Sequence, residues 1–217
     1  MSGSYDTVAE QYNRAFAGDD PKDPVLEDLL GDVTGLRVLA LACGQGRDAR
    51  LLASLGADVV GVDISVEMLR FAREREAASP CGIEYVEGDA QDLKPFTAAS
   101  FDGVVCHMAL MDIPHLAPTI AGVGRVLRPG GWFVFSIVHP CYHPHVEIVS
   151  EYLDDLRYDK LRPPSWLPRH AYHRPISMYV NELVSAGLGV VRMTEEHHVS
   201  GPGSGVPGLL YVRAARR

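Results

Sequence analysis

A pair of glycines and an acid raise the first chemical question. Gly44 and Gly46 stand in "VLALACGQGRDA", after a short apolar run and at the opening of a helical pattern. Glycine at such a place lets the backbone turn sharply and approach a ligand with no Cβ in the way. Asp63 closes the next apolar run, "ADVVGVD". It follows the first glycine by about 20 residues, the spacing at which a carboxylate accepts both hydroxyl hydrogens of a ribose. These residues predict an adenosine-bearing cofactor. Taken alone they fit a nicotinamide dinucleotide and S-adenosylmethionine equally, and a turn that merely packs helix on strand is the non-functional alternative.

Histidines are the next group suited to chemistry, because imidazole titrates nearest neutral pH. His139 follows an apolar strand directly in "FSIVHPC", and His107 ends another, so both should emerge at one sheet edge. His139 is the candidate general base, set against the common structural role of a hydrogen-bonded strand-end histidine. His143 and His145 follow it, and His173 with Arg174 precede the next helix. "HPCYHPH" also offers His139, Cys141, His143 and His145 as ligands. Their spacing matches no zinc pattern and Pro140 and Pro144 stiffen the loop, so no metal is expected. His197 and His198 lie in a glycine-rich loop and read as solvated.

The elements that must position these groups can be read from periodicity. Residues 7–17 and 24–31 look like short helices separated by "GDDPKDP". From Leu36 apolar strands alternate with helices. "LRVLAL", "ADVVGVD", "IEYVEGD", "FDGVVCHMAL" and "WFVFSIV" are the strands, and "RDARLLASLG", "SVEMLRFAREREAA" and "LAPTIAGVGRVL" the helices. Ser65 is placed to cap the second of these helices, and Pro129-Gly130-Gly131 to stop the third. Such alternation predicts a doubly wound α/β fold, a parallel sheet with helices on both faces. From His139 to Pro175 the pattern breaks into a stretch rich in Pro, His and aromatic residues with no clear strand. A helix, "ISMYVNELVSAG", and two strands, "LGVVRMTEE" and "GLLYVRAA", close the chain. The long insertion falls at the C-terminal edge of the sheet, where open α/β sheets bind ligands.

Composition narrows the partners. The 217 residues suffice for one domain with a sizeable core. A net charge of −8 argues against a nucleic-acid surface, which needs clustered Lys and Arg. No apolar run approaches the roughly 20 residues that span a membrane, and the N-terminus has no signal-peptide pattern. The four cysteines show no CxxC spacing and read as reduced thiols of a cytoplasmic protein.

The order of motifs resembles that of the class I S-adenosylmethionine-dependent methyltransferases, in the small-molecule branch related to the quinone-biosynthesis enzymes. "YDTVAEQYN" is similar to the family's Tyr-Asp-x-x-Ala-x-x-Tyr lid element. "VLALACGQGR" resembles its first motif and "VVGVDISVEMLRFAR" its second. "YVEGDAQDLKPF" and "SFDGVVCHMALMDI" resemble the third and fourth strands, and "VGRVLRPGGWFVFSIVHP" the bend before the fifth. The resemblance covers nearly the whole chain.

It implies a seven-stranded Rossmann-like sheet with the last strand antiparallel. A single domain is expected, with lid helices in 1–35, a cofactor core in 36–138, a substrate lid in 139–175 and a C-terminal helix and two strands in 176–217. It implies a cofactor, S-adenosyl-L-methionine, held by Tyr5, Tyr12, Ala42, Gly44, Gly46, Asp63, Ile64, Met68, Asp89, Ala90, Cys106 and His107. Asp89 would meet the adenine amino group, with Ile64 and Met68 flanking the ring. Tyr142, His143, Trp166 and Tyr172 would line the acceptor pocket. The chain departs from the family's first motif at two positions: Ala40 replaces an acid and Ala42 a glycine. The expected activity is methyl transfer by in-line displacement to a small-molecule oxygen, nitrogen or carbon, with room for a homodimer. An NAD(P)-dependent oxidoreductase and a non-catalytic S-adenosylmethionine-binding protein are the rival readings.

Overall fold

The computed structural model describes residues 5–16, 23–141, 152–153, 155–159, 164–165, 167–168, 170–196 and 207–217. Two short helices lead, α1 (Ala9–Ala15) and α2 (Pro24–Leu30). Then come β1 (Arg37–Leu41), α3 (Arg47–Ser54), β2 (Asp58–Asp63), α4 (Val66–Ala78), β3 (Glu84–Glu87) and β4 (Phe101–His107). After a 3-10 turn at Leu110–Asp112 follow α5 (Leu116–Val126), β5 (Leu127–Val138), β6 (Leu156–Asp159) and β7 (His170–His173). The chain closes with α6 (Ile176–Ser185), β8 (Leu188–Glu196) and β9 (Leu209–Arg216).

Seven strands form one sheet in the order β3-β2-β1-β4-β5-β9-β8. β1 to β5 pair parallel, and β9 runs antiparallel to both of its neighbours, β5 and β8. The sheet and its antiparallel last strand are those expected. Because β1 lies between β2 and β4, strand order reverses there, and this switch point opens a crevice at the C-terminal ends of β1 and β4.

Each sheet face has its own core. Leu39, Leu41, Val104, Phe133, Phe135 and Val212 face α5 and α6. Val38, Ala40, Val105, Val134 and Trp132 face α2 and α3. Gly103 faces Trp132 across the β4–β5 pair, and a Cβ there would lie within the indole. Arg213 stacks over the same indole at 5.2 Å and donates to the Leu29 and Leu30 carbonyls, tying α2 to the sheet.

Three differences from the sequence expectation have physical causes. β4 stops at His107, three residues short of its apolar run, because Met108 adopts a left-handed φ of 52° and its N–H turns to the Ser136 carbonyl. α5 ends at Val126, before the Pro129-Gly130-Gly131 bend, and that bend belongs to the irregular start of β5. Within the stretch read as strandless, β6 and β7 pair into an antiparallel ribbon of four residues each. Ribbons this short carry too few alternating residues to stand out from a Pro-rich background. No helix among the described residues is long and apolar enough to cross a membrane.

Candidate cofactor and acceptor site

Asp63 organises the crevice. It ends β2, and its two carboxylate oxygens accept the Gly44 and Ser65 N–H groups, each at 2.8 Å. One residue thereby joins the glycine turn after β1 to the start of α4. Burial is the largest influence on this carboxyl and pushes its pKa above the ordinary value, against the lowering effect of those N–H groups. A carboxylate has about four lone-pair sites, so acceptor capacity is left for a diol.

The glycine turn has the backbone its residues require. Gly44 and Gly46 hold φ of 54° and 87°, and Gly46 stands at the N-cap of α3. A Cβ on Gly46 would collide with the Tyr85 phenol, so only glycine fits. Met68 is buried, and its Cε lies 3.7 Å from where a Cβ on Gly44 would stand. Ala42 adopts φ 52°, the left-handed region where the family resemblance places a glycine. Ile64 is half-buried beside Asp63.

The N-terminal segment lies across this crevice. Tyr5 donates to Asp112 at 2.8 Å, and Asp6 accepts from Ser65 Oγ at 2.5 Å. Ala9 is buried against Met68 and Phe71, with Tyr5 and Tyr12 packed on the same cluster. Arg75 joins the Gln45 carbonyl, at 3.2 Å, to Asn13 of α1, at 2.8 Å. Burial, reinforced by Asp112, raises the Tyr5 phenol well above its ordinary pKa, and burial pushes Tyr12 up to about 12. Both stay protonated donors at neutral pH.

At the β3 end, Asp89 is already engaged. It accepts the Gln91 backbone N–H at 2.9 Å and the Gln91 side-chain amide at 3.0 Å on both oxygens. Gln91 in turn accepts from the His115 N–H, linking Asp89 to the start of α5. Gln91 was not singled out in the sequence; the Asp-x-Gln order, which suits an Asx turn, is the signal that could have found it. Ala90 is buried in the α5-facing core. Cys106 lies in that core at 0% exposure, its thiol pKa raised by burial, so its side chain is turned away from the crevice.

The two strand-end histidines differ sharply. His107 is half-buried, with Nδ1 2.8 Å from Ser136 Oγ and Nε2 3.9 Å from Asp23. His139 is 3% exposed and both ring nitrogens are taken. Nδ1 accepts the Cys141 N–H at 3.1 Å, and Nε2 meets Glu195 at 2.9 Å. With Nδ1 accepting, the proton sits on Nε2 and no ring lone pair faces the crevice. His139 therefore fastens the end of β5 to β8.

Tyr172, expected to line the acceptor pocket, is half-buried on the β6–β7 ribbon, its ring 4.9 Å from the Arg174 guanidinium. Arg174 is 1% exposed and donates to the carbonyls of Leu110, Ile113 and Pro114, which fixes the loop after β4. His173 is buried and bonded to the Tyr152 carbonyl at 3.0 Å. Tyr142, His143 and Trp166, expected in the acceptor pocket, lie outside the described residues, as do His145, His197 and His198. Among the described residues no three metal-binding side chains converge.

These residues suit S-adenosylmethionine. A half-buried carboxylate with free acceptor capacity, a glycine cradle and an apolar wall at Met68 match a ribose with an uncharged ring. The Gln45 side-chain amide, 1% exposed between the two glycines, has no hydrogen-bond partner among the described residues. Asp48 sits beside Arg47 in the first turn of α3, so that turn adds no net positive charge for a pyrophosphate.

Comparison with known proteins agrees. The family described as "Methyltransferase domain" matches residues 39–135, the span from β1 to β5. A fatty-acid O-methyltransferase of Mycolicibacterium smegmatis is 39% identical over 113 residues, covering 51% of this chain and 40% of its own. A demethylmenaquinone methyltransferase of Renibacterium salmoninarum is 35% identical over 127 residues, covering 58% and 52%. The chain spans about half the length of the curated relatives it matches. A crystal structure of an S-adenosylmethionine-dependent methyltransferase from Mesorhizobium loti superposes with a TM-score of 0.67 at 28% identity, over 89% of this chain and 96% of that one. The glycine turn, the carboxylate that ends β2 and the sheet order thus converge with these matches: residues 39–135 match the methyltransferase-domain family, and the chain is similar in fold and sequence to the S-adenosylmethionine-dependent methyltransferases.

Proposed function

We propose that this protein transfers a methyl group from S-adenosylmethionine to a small-molecule acceptor. The observation that carries the reading is Asp63, held by the Gly44 and Ser65 N–H groups at the switch point of the sheet. When bound, the cofactor supplies a methyl group already activated on a sulfonium. The work left to the chain is to hold, align and exclude water.

Each part of the crevice has a share in that work. Asp63 accepts the ribose hydroxyls, and Gly44 with Gly46 lets the turn close against the cofactor's middle. Met68 and Ile64 wall the adenine. The Tyr5–Asp112 bond and the Asp6–Ser65 bond hold α1 over the crevice and keep water out. The acceptor enters from the β6–β7 side, past the loop that Arg174 fixes, and attacks in line. Among the rival readings, the dinucleotide oxidoreductase leaves the "YDTVAEQY" segment and the "GDA" turn after β3 unexplained.

Two experiments test the reading. Calorimetry should find S-adenosylmethionine and S-adenosylhomocysteine bound, NAD(P)H not bound, and the sulfur pair lost in Asp63→Ala. Incubation with methyl-labelled cofactor and a panel of oxygen, nitrogen and carbon nucleophiles that includes fatty acids should transfer label to at least one acceptor. Nicotinamide binding without the sulfur pair would overturn the reading. Cofactor binding with no transfer to any oxygen, nitrogen or carbon acceptor would favour a non-catalytic binder.

A further inference from the structure

The sheet order sets the ends of β3, β2, β1 and β4 side by side. Asp63 ends β2 and the glycine turn follows β1. A cofactor held by its ribose at Asp63 and passing over that turn brings its far end to β4, two strand spacings or about 10 Å away. In S-adenosylmethionine the far end is an α-amino acid, with an ammonium and a carboxylate to satisfy.

At the end of β4 the sheet face beneath α2 changes character. Two residues earlier it carries Val105 and Val134, paired in register. The next row holds His107, Ser136 and Tyr211, aligned across β4, β5 and β9. Asp23 closes over them: its Oδ2 accepts the Tyr211 hydroxyl at 2.9 Å and its Oδ1 the Leu26 N–H at 2.9 Å. Ser136 Oγ meets His107 Nδ1 at 2.8 Å and accepts the Met108 N–H at 3.1 Å. The imidazole Nε2 faces Asp23 at 3.9 Å, beyond hydrogen-bond reach. Asp23 thus keeps acceptor capacity unused beside the crevice.

Resting on the assignment of S-adenosylmethionine as cofactor, we propose that this row is the seat of its amino-acid end, with the Asp23 carboxylate receiving the α-ammonium. The alternatives at this edge are weaker. Ala40, on the same face one row further in, is buried at 1% and offers no charge. Asp112 already holds Tyr5. Asp23 acts as a positioning residue: it orients the tail of the cofactor and so aims the sulfonium at the acceptor.

The test compares two ligands by calorimetry on the full chain. S-adenosylhomocysteine carries the amino-acid end; 5′-methylthioadenosine keeps the adenosine and thioether but lacks it. Asp23→Asn is the variant of choice, because asparagine caps a helix as well as aspartate and preserves the start of α2. Asp23→Ser, also a competent cap, is the second variant. In both, S-adenosylhomocysteine should bind roughly tenfold more weakly or worse, as expected for losing a charged hydrogen bond. Methylthioadenosine should bind as it does to the unaltered protein. Undiminished S-adenosylhomocysteine binding, or equal weakening of both ligands, overturns the proposal. Failure of the unaltered protein to bind either ligand would instead remove the cofactor assignment.

Discussion

Tyr5 and Asp112 lie 107 residues apart and meet in a 2.8 Å hydrogen bond that closes α1 over the crevice. Burial first and Asp112 second raise the phenol's pKa well above the ordinary value, so it remains a donor at neutral pH. Tyr5→Phe removes the hydroxyl and keeps the ring. A hydrogen bond to a charged group contributes about 1.5–3 kcal/mol, part of which Asp6 and Asn13 share here. S-adenosylhomocysteine should bind roughly three- to tenfold more weakly by calorimetry, and α1 should become more open to limited proteolysis. Unchanged affinity would mean that the Asp6–Ser65, Glu10–Arg70 and Asn13–Arg75 bonds hold the segment without the Tyr5 hydroxyl.

Asp63 gives the site a pH dependence with a definite sign. Its carboxyl pKa is raised above the ordinary 3.8, burial outweighing the N–H groups that stabilise the anion. In the ligand-free protein this group therefore favours folding below 3.8, and that contribution is lost as pH rises through the raised folded value. Cofactor binding runs the other way, since only the carboxylate accepts both ribose hydroxyls. Calorimetric affinity for S-adenosylhomocysteine should fall on acidification while the pH is still above 3.8, and methylthioadenosine should follow the same curve. A flat profile down to the ordinary aspartate range would show that the ribose does not depend on this carboxylate.

Ala42 carries strain that the sequence alone does not reveal. A methyl group in place of hydrogen looks harmless, but φ of 52° is left-handed backbone, which costs a non-glycine residue about 1–2 kcal/mol. Ala42→Gly removes that cost and adds back unfolded-state entropy of about 0.5–1 kcal/mol. A net stabilisation of up to about 1 kcal/mol in urea unfolding is expected, with cofactor affinity unchanged or slightly tighter. Destabilisation would indicate that the Ala42 methyl packs productively.

Much of this arrangement was legible in the residues and some was not, for reasons that differ by element. β1, β2, β4 and β5 were readable because both their faces are largely buried, so each appears as a mostly apolar run, whereas the edge strand β3 offers only the half-buried Tyr85 and Val86 between two glutamates. The glycine turn and Asp63 were readable because their backbone and burial demand particular residue types. His139 was ambiguous because a histidine after a strand looks the same whether it faces a crevice or a neighbouring strand; its bond to Glu195, 56 residues on, is a contact that local sequence does not show. Asp23, Tyr211 and Gln91 were missed because their roles depend on contacts between distant segments or on a short turn. The ribbon of β6 and β7 was missed because its partners are few and its side chains mixed.

Arg174 offers the sharpest test of how the loop after β4 is held. A guanidinium buried to 1% exposure would be costly without partners, yet here it donates to three carbonyls of the loop that follows β4. That loop carries Asp112, so Arg174 fixes the residue that latches Tyr5. Lysine keeps the charge but concentrates it at one nitrogen, which cannot span the carbonyls of Leu110 and Ile113 as the planar fork does. Arg174→Lys should leave at least one buried carbonyl unpaired, at about 1–3 kcal/mol, and lower the urea midpoint accordingly. The displaced Asp112 should loosen the latch as well, so S-adenosylhomocysteine affinity should drop to the level of Tyr5→Phe. In the double variant the two losses should not add, because they act through one bond. Additive losses would place Arg174 and Tyr5 in separate roles, the arginine then serving only the ribbon and its loop.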